Sequence, residues 1–149
     1  MKLAIRSATP ADLPGMMALE KRAATAAHWT GQYEALFRGH GAKRMALIIE
    51  DELGLEGFMI SRVVDREWEI ENIAVAGPAR RRGLGTRLLG ELLDRARGRG
   101  ADAVFLEVRD SNRAARALYE KRAFQESGRR LRYYKDPEED AILYRIDFI

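Results

Sequence analysis

Residues 80–86, Arg80-Arg81-Arg82-Gly83-Leu84-Gly85-Thr86, form a run suited to holding an anion. They follow an apolar strand end, Ile73-Ala74-Val75, and a Gly77-Pro78 turn. After them comes a helical pattern that puts Leu84, Leu88, Leu89, Leu92, Leu93 and Ala96 on one face. Amides in a helix's first turn lack intrahelical acceptors, and the aligned peptide dipoles make that end positive. Gly83 and Gly85 let a bulky anion approach the backbone, and the arginines add cationic charge. The pattern predicts a phosphate cradle. A P-loop is excluded, because Gly85 is followed by Thr86-Arg87 and not by Lys-Ser/Thr. A dinucleotide fingerprint is excluded as well, because Leu88 stands where a third small residue is required.

Glu107 is the other residue marked out for chemistry, as the only acid inside the apolar run 103–108 and on the same face as Phe105. An apolar setting raises a carboxyl pKa toward neutrality, a range useful for taking a proton from an ammonium group. Pairing with an arginine is the competing expectation. Tyr119 lies seven residues after Asn112. That is about two helical turns, so both residues face the same way.

The elements that must position these groups can be taken in order. Residues 2–7 alternate as a strand, and Thr9-Pro10-Ala11-Asp12 then caps a helix with Leu13, Met16, Met17 and Ala24 inward. His28-Trp29-Thr30 interrupts it, Thr30 caps a short second helix bearing Tyr33, Leu36 and Phe37, and Gly39-His40-Gly41 ends that helix. Strands follow over 45–50, 56–64 and 67–75, joined by turns at 51–54 and at Asp65-Arg66, the second without the usual glycine. The cradle helix stops at Gly98-Arg99-Gly100, and 103–108 reads as a buried strand. Asp110 or Ser111 caps a helix over 112–121, and 129–134 and 141–148 pair around an acidic loop.

Composition sets the bounds. The 149 residues suit one domain, 1–149, and 46% hydrophobic with 33% charged residues reads as a soluble globular chain. No apolar run reaches the roughly 20 residues of a membrane span, and no signal-peptide pattern opens the chain. The cytoplasm is the expected compartment. Without cysteine there is no thiolate nucleophile or thiolate metal site, and His28 and His40 sit in no ligand motif, so no metal is expected. The net charge of +3 is interleaved with acids, which argues against direct nucleic-acid binding.

The loop fits Arg/Gln-x-x-Gly-x-Gly/Ala and the element order is β-α-α-β-β-β-α-β-α-β-β, so the whole chain resembles the GNAT N-acetyltransferase superfamily. Leu106-Glu107-Val108-Arg109-Asp110-Ser111-Asn112, Ala117-Leu118-Tyr119-Glu120 and Phe124 narrow the likeness to the bacterial ribosomal-protein-alanine N-acetyltransferases (RimI type). Asn72-Ile73-Ala74-Val75, His28-Trp29-Thr30, Tyr133-Tyr134 and Glu139-Asp140-Ala141 resemble the same group. Ala123 where glycine is common, Ala79 before the loop and a displaced Pro78 depart from its pattern.

The resemblance implies an α/β (α+β) fold, a mixed sheet of about seven strands flanked by about four helices. It implies acetyl-coenzyme A as donor, a protein N-terminal amine as acceptor, with a ribosomal protein as the expected partner, and a direct-attack reaction. By the same resemblance Glu107 is the general base and Tyr119 the acid that protonates the leaving sulfur, with Glu69 the alternative base. Ile73, Ala74, Val75, the loop 80–86, Asn112 and Tyr119 would hold the donor, and Trp29, Glu69, Tyr133 and Tyr134 the acceptor. For Tyr119 a core aromatic, and for Asn112 a plain helix start, are the structural alternatives. A small amine or lysine as acceptor is the other enzymatic reading. A non-catalytic acyl-coenzyme A-binding module and a basic RNA-associated protein are the non-enzymatic ones.

Overall fold

Seven strands form one sheet in the order β1-β2-β3-β4-β5-β7-β6 in a computed structural model that describes residues 2–22, 33–37, 43–77 and 83–148. The strands are β1 (Ala4–Ser7), β2 (Lys43–Asp51), β3 (Gly54–Val64), β4 (Glu67–Val75), β5 (Ala103–Arg109), β6 (Gln125–Tyr134) and β7 (Glu139–Asp147). Every neighbouring pair is antiparallel except β4–β5, which is parallel. A parallel pair needs a long crossover, and α2 (Leu84–Gly98) supplies it. Leu84, Leu88, Leu89, Leu92 and Ala96 of α2 are fully buried against one face of the sheet. On the other face Met16 and Leu19 of α1 (Leu13–Arg22) pack with Tyr33, Ile48, Phe58, Ile60 and Ala74.

One irregularity in β4 shapes the sheet's centre. Asn72 pairs with Ile60 and Ile70 with Ser61, so Glu71 is an extra residue in β4, a β-bulge. A one-residue insertion exchanges the faces that successive side chains occupy. Before the bulge Trp68 and Ile70 enter the α2-side core; after it Ile73 and Val75 do, while Asn72 and Ala74 turn to the α1 side. The β4–β5 ladder runs from Glu67–Ala103 to Ile70–Leu106 and stops where the bulge begins. Both strands continue, to Val75 and Arg109, without further pairing to each other. They splay into a slot.

Several local expectations are corrected. Among the described residues there are three α-helices, because the expected second helix is a 3-10 turn, Tyr33–Phe37. A 3-10 turn at Pro10–Asp12 precedes α1 and changes its phase, so Met17 is 43% exposed while Leu19 and Glu20 are buried. Ala24, Gly39, His40 and Gly41 lie outside the described residues. The helix α3 (Arg113–Lys121) is capped by Asn112, whose Oδ1 accepts from Ala115 N at 3.1 Å, not by Asp110 or Ser111. The glycine-free turn between β3 and β4 is made by Asp65 at φ 55, a left-handed conformation that aspartate tolerates.

Leu88 has no exposed surface, and its Cδ1 lies 3.3 Å from where a Cβ on Gly57 of β3 would stand. Leu88→Ala should therefore lose about 2–5 kcal/mol of stability, the usual cost of an unfilled leucine site. Urea denaturation measures this, and a loss under about 1 kcal/mol would mean that the α2–β3 packing collapses to fill the space.

Candidate active site

The slot between β4 and β5 is a cavity of about 560 Å³. Its walls are Ile70–Ile73 from β4 and Leu106–Arg109 from β5, with Asn112, Ala115 and Tyr119 at one side and Tyr134 and Glu139 at the other. Glu107 and Tyr119, singled out separately in the sequence, thus line one cavity. They reach it from opposite faces of the sheet. Leu106 and Val108 join Tyr119 in the α2-side core, so the alternating strand sends Glu107 to the other face.

The surroundings of Glu107 are polar, not apolar as the sequence suggested. The 103–108 run is apolar along the chain, but its outward face meets side chains from β6 across β7. Arg130 Nε lies 2.9 Å from Glu107 Oε1, which realises the competing expectation of an arginine pair. The Tyr133 hydroxyl faces the same carboxylate. Its pKa is raised by the Glu107 charge first, then by burial and by a hydrogen bond to that carboxylate.

Tyr119 is 3% exposed, edge-on to Phe124 at 5.5 Å and tilted against Tyr144 at 6.3 Å. It is the core aromatic of the structural alternative, and it also lines the slot. Its hydroxyl has no hydrogen-bond partner among the described residues, and burial pushes its pKa well above that of a free phenol. Its helix is anchored by Tyr144, whose hydroxyl donates to Glu120 at 2.6 Å and accepts from Arg116 at 3.0 Å.

Glu69 sits outside the slot, opposite Phe105 in the still-paired part of the ladder. Arg62 donates to it at 3.0 Å. Burial, ahead of all other causes, raises its pKa, and the Arg62 charge opposes that shift. Of the expected acceptor residues, Tyr134 lines the slot and Tyr133 stands at its rim, 5.1 Å from Tyr134 and 49% exposed. Tyr134, under the Arg109 guanidinium at 4.5 Å, has its pKa pushed up to about 12, mainly by burial. Trp29, with His28 and Thr30, lies outside the described residues.

The part of the expected cradle that is described begins at Gly83, which has φ +69 and no described atom within 4 Å of where a side chain would start. Among the described residues the first bond of α2 runs from Arg87 N to Gly83 O at 3.1 Å, and the amides of Leu84, Gly85 and Thr86 lie before it. The Leu84 side chain belongs to the core, which leaves only its backbone for a ligand. A second cavity of about 330 Å³ opens here, lined by Gly83, Gly85, Thr86, Ala114, Leu118 and Lys121 among others. It shares Ile73, Asn112 and Ala115 with the slot, so one path runs from the start of α2 to Glu107. Arg80, Arg81 and Arg82 lie outside the described residues.

Some site-forming residues were not anticipated. Glu20 of α1 is buried and accepts from Asn72 Nδ2 at 2.6 Å and from the Tyr33 hydroxyl. This ties α1 and the Tyr33–Phe37 turn to β4 one residue past the bulge. Glu139 accepts from Arg109 at 3.1 Å and from the Ser111 amide, pinning the β5–α3 turn to β7. Those Ser111 bonds, followed by Arg109, hold its carboxyl below the usual range. Glu139 had been singled out only as part of a motif, and Glu20 only carried the weak signal of a charge on an inward helical position.

Residues 13–124 match the acetyltransferase (GNAT) family model. The [ribosomal protein bS18]-alanine N-acetyltransferase of Salmonella typhimurium is 39% identical over 134 residues, covering 89% of this chain and 88% of that protein. The enzyme of the same name from Escherichia coli K12 is 38% identical over 141 residues, 93% of each chain. The crystal structure of the ribosomal-protein-S18-alanine N-acetyltransferase from Escherichia coli superposes with a TM-score of 0.84 at 34% identity, covering 98% of this chain and 94% of that one.

Proposed function

The chain belongs to the acetyltransferase (GNAT) family, and from that premise we propose that it acetylates the N-terminal α-amine of a protein beginning with alanine. The acceptor is a ribosomal protein of the bS18 kind, and acetyl-coenzyme A is the donor substrate. The observation that carries this reading is the convergence of Glu107 and Tyr119 on one slot, continuous with the anion cradle at Gly83.

In this account the pyrophosphate of the donor rests on the amides that precede the α2 ladder. The acyl-bearing arm follows the shared wall of Ile73, Asn112 and Ala115 into the slot. The stretch of β4 beyond the end of the β4–β5 ladder, at Ile73 and Ala74, offers backbone groups to the arm and to the thioester oxygen as charge develops there. Glu107 takes the proton of the acceptor ammonium, directly or through water. The freed amine attacks the thioester carbon, the carbon–sulfur bond breaks, and Tyr119 protonates the departing sulfur. An α-amine with a pKa near 8 is deprotonated far more readily than lysine near 10.4, which favours an N-terminal acceptor.

Gly83→Val should weaken acetyl-coenzyme A binding at least tenfold in calorimetry, since a branched side chain would stand in the donor's approach and φ +69 strains a β-branched residue. Unchanged affinity in a folded variant would remove the cradle assignment. The function itself is tested by mass spectrometry of purified bS18, Nα-blocked lysine peptides and small amines after incubation with acetyl-coenzyme A. One acetyl group on the bS18 N-terminus is expected; transfer to the small amines alone would refute the reading.

A further inference from the structure

We infer that Arg130 is a resident cation that keeps the acceptor ammonium's place on Glu107 and is exchanged for it when the acceptor binds. This rests on the proposed role of Glu107 as the group that receives the acceptor's proton.

Arg130 is on β6, two strands away from Glu107. It pairs with Ala141 of β7, which pairs on its other side with Arg109 of β5. Directly opposed residues project to the same side of a sheet, so Arg130, Ala141 and Arg109 share a face, and Glu107 lies on it two residues from Arg109. The small Ala141 lets the guanidinium cross over β7 to the carboxylate. Arg130 is also where regular β6–β7 pairing ends; it resumes only at Tyr134–Glu139, with Arg132 at φ 52 and Leu131 75% exposed. The cation is thus delivered from a bulged edge segment.

Three features mark the contact as replaceable. Nε approaches Oε1 to 2.9 Å without an aligned hydrogen bond, where an arginine can offer a carboxylate two parallel bonds. The Arg130 side chain is 56% exposed while that of Glu107 is 19% exposed, so water can take up the guanidinium as it leaves. Arg130 also lies 5.5 Å above the Tyr133 ring, a second place for the charge to rest. Meanwhile Glu107 faces the slot, where an incoming ammonium meets the same carboxylate. A second cation, Arg109, shares the face, but it lies over the Tyr134 ring at 4.5 Å and donates to Glu139 at 3.1 Å. The other charged and titratable neighbours among the described residues are Glu69 on β4 and Tyr133 and Tyr134 on β6.

An ammonium that displaces Arg130 replaces one positive charge by another and leaves the charge balance of the slot unchanged. A neutral acceptor gains nothing from the exchange and is disfavoured. Arg130 is absent from Glu107 during proton transfer, so it affects acceptor binding and not turnover.

The test measures Kd for an N-terminal alanine peptide by calorimetry in the presence of coenzyme A, with KM and kcat from steady-state assays. Arg130→Ala and Arg130→Gln should bind the peptide about two- to fivefold more tightly, the range expected for losing one exposed ion pair, with kcat unchanged. Their affinity should fall more steeply with salt than the parent's, because the ammonium's attraction is no longer offset by a lost pair. Arg130→Lys should behave like the parent. In a Glu107→Gln background, Arg130→Ala should change Kd no further. Unchanged or weaker binding in the neutral variants, a fall in kcat, or an undiminished effect without the carboxylate would overturn the inference. The role of Glu107 is read separately from the kcat of Glu107→Gln alone.

Discussion

Glu107→Gln is expected to lower kcat by roughly 10²–10⁴-fold near pH 6 while leaving acetyl-coenzyme A affinity and folding unchanged. The amide keeps the size of the side chain but cannot accept the acceptor's proton. Most of an α-amine is ammonium at that pH, so an enzyme without its base waits for the rare neutral form. Raising the pH toward the amine's own pKa near 8 supplies that form without help, and the variant should recover in part. Glu69→Gln is the necessary comparison, because burial raises the pKa of Glu69 above the usual carboxylate value. Its position argues the other way: it stands in the closed part of the ladder opposite Phe105, outside the slot that Glu107 lines. Geometry comes before pKa in choosing a base, so Glu69→Gln should have the smaller effect. A larger loss of kcat near pH 6 in Glu69→Gln than in Glu107→Gln would move the base to β4.

Tyr119→Phe should lower kcat by a similar factor, roughly 10²–10⁴-fold, with little change in melting temperature. The hydroxyl has no hydrogen-bond partner among the described residues, and the ring packing against Phe124 and Tyr144 survives the change. The direction of the Tyr119 shift makes a further point. A phenol whose pKa is raised stays protonated throughout the range below the ordinary phenol value of about 10. Any alkaline fall in activity between pH 8 and 10 therefore has another origin, and Tyr119→Phe should be slow by the same factor across it. A loss below about threefold would mean that water protonates the sulfur.

The strand β4, the helix α2 that follows the glycine-rich loop and the helix that carries Tyr119 were legible because each is a local pattern of spacing. The slot was not. Its cause is the bulge at Glu71, which exists only relative to the register of β3, and nothing in Glu69-Ile70-Glu71-Asn72 announces an extra residue. The same bulge explains why Asn72 turns toward Glu20 of α1, a contact that spans 52 positions of sequence. Arg130 was overlooked because its reach depends on β7 lying between β6 and β5, an order visible only in the folded sheet. The apolar run around Glu107 was read correctly as a strand and wrongly as an environment, since neighbours in space come from other strands. Asn112 serves as the cap of α3, with Asp110 and Ser111 beside it offering equally good capping chemistry on paper.

The most direct measurement uses one peptide with a free N-terminal alanine and a single internal lysine. It is incubated with the protein and acetyl-coenzyme A, and tandem mass spectrometry locates the acetyl group. The account predicts a single acetyl group on the α-amine, abolished when that amine is blocked beforehand. Acetylation of the lysine, undiminished by the block, would contradict it.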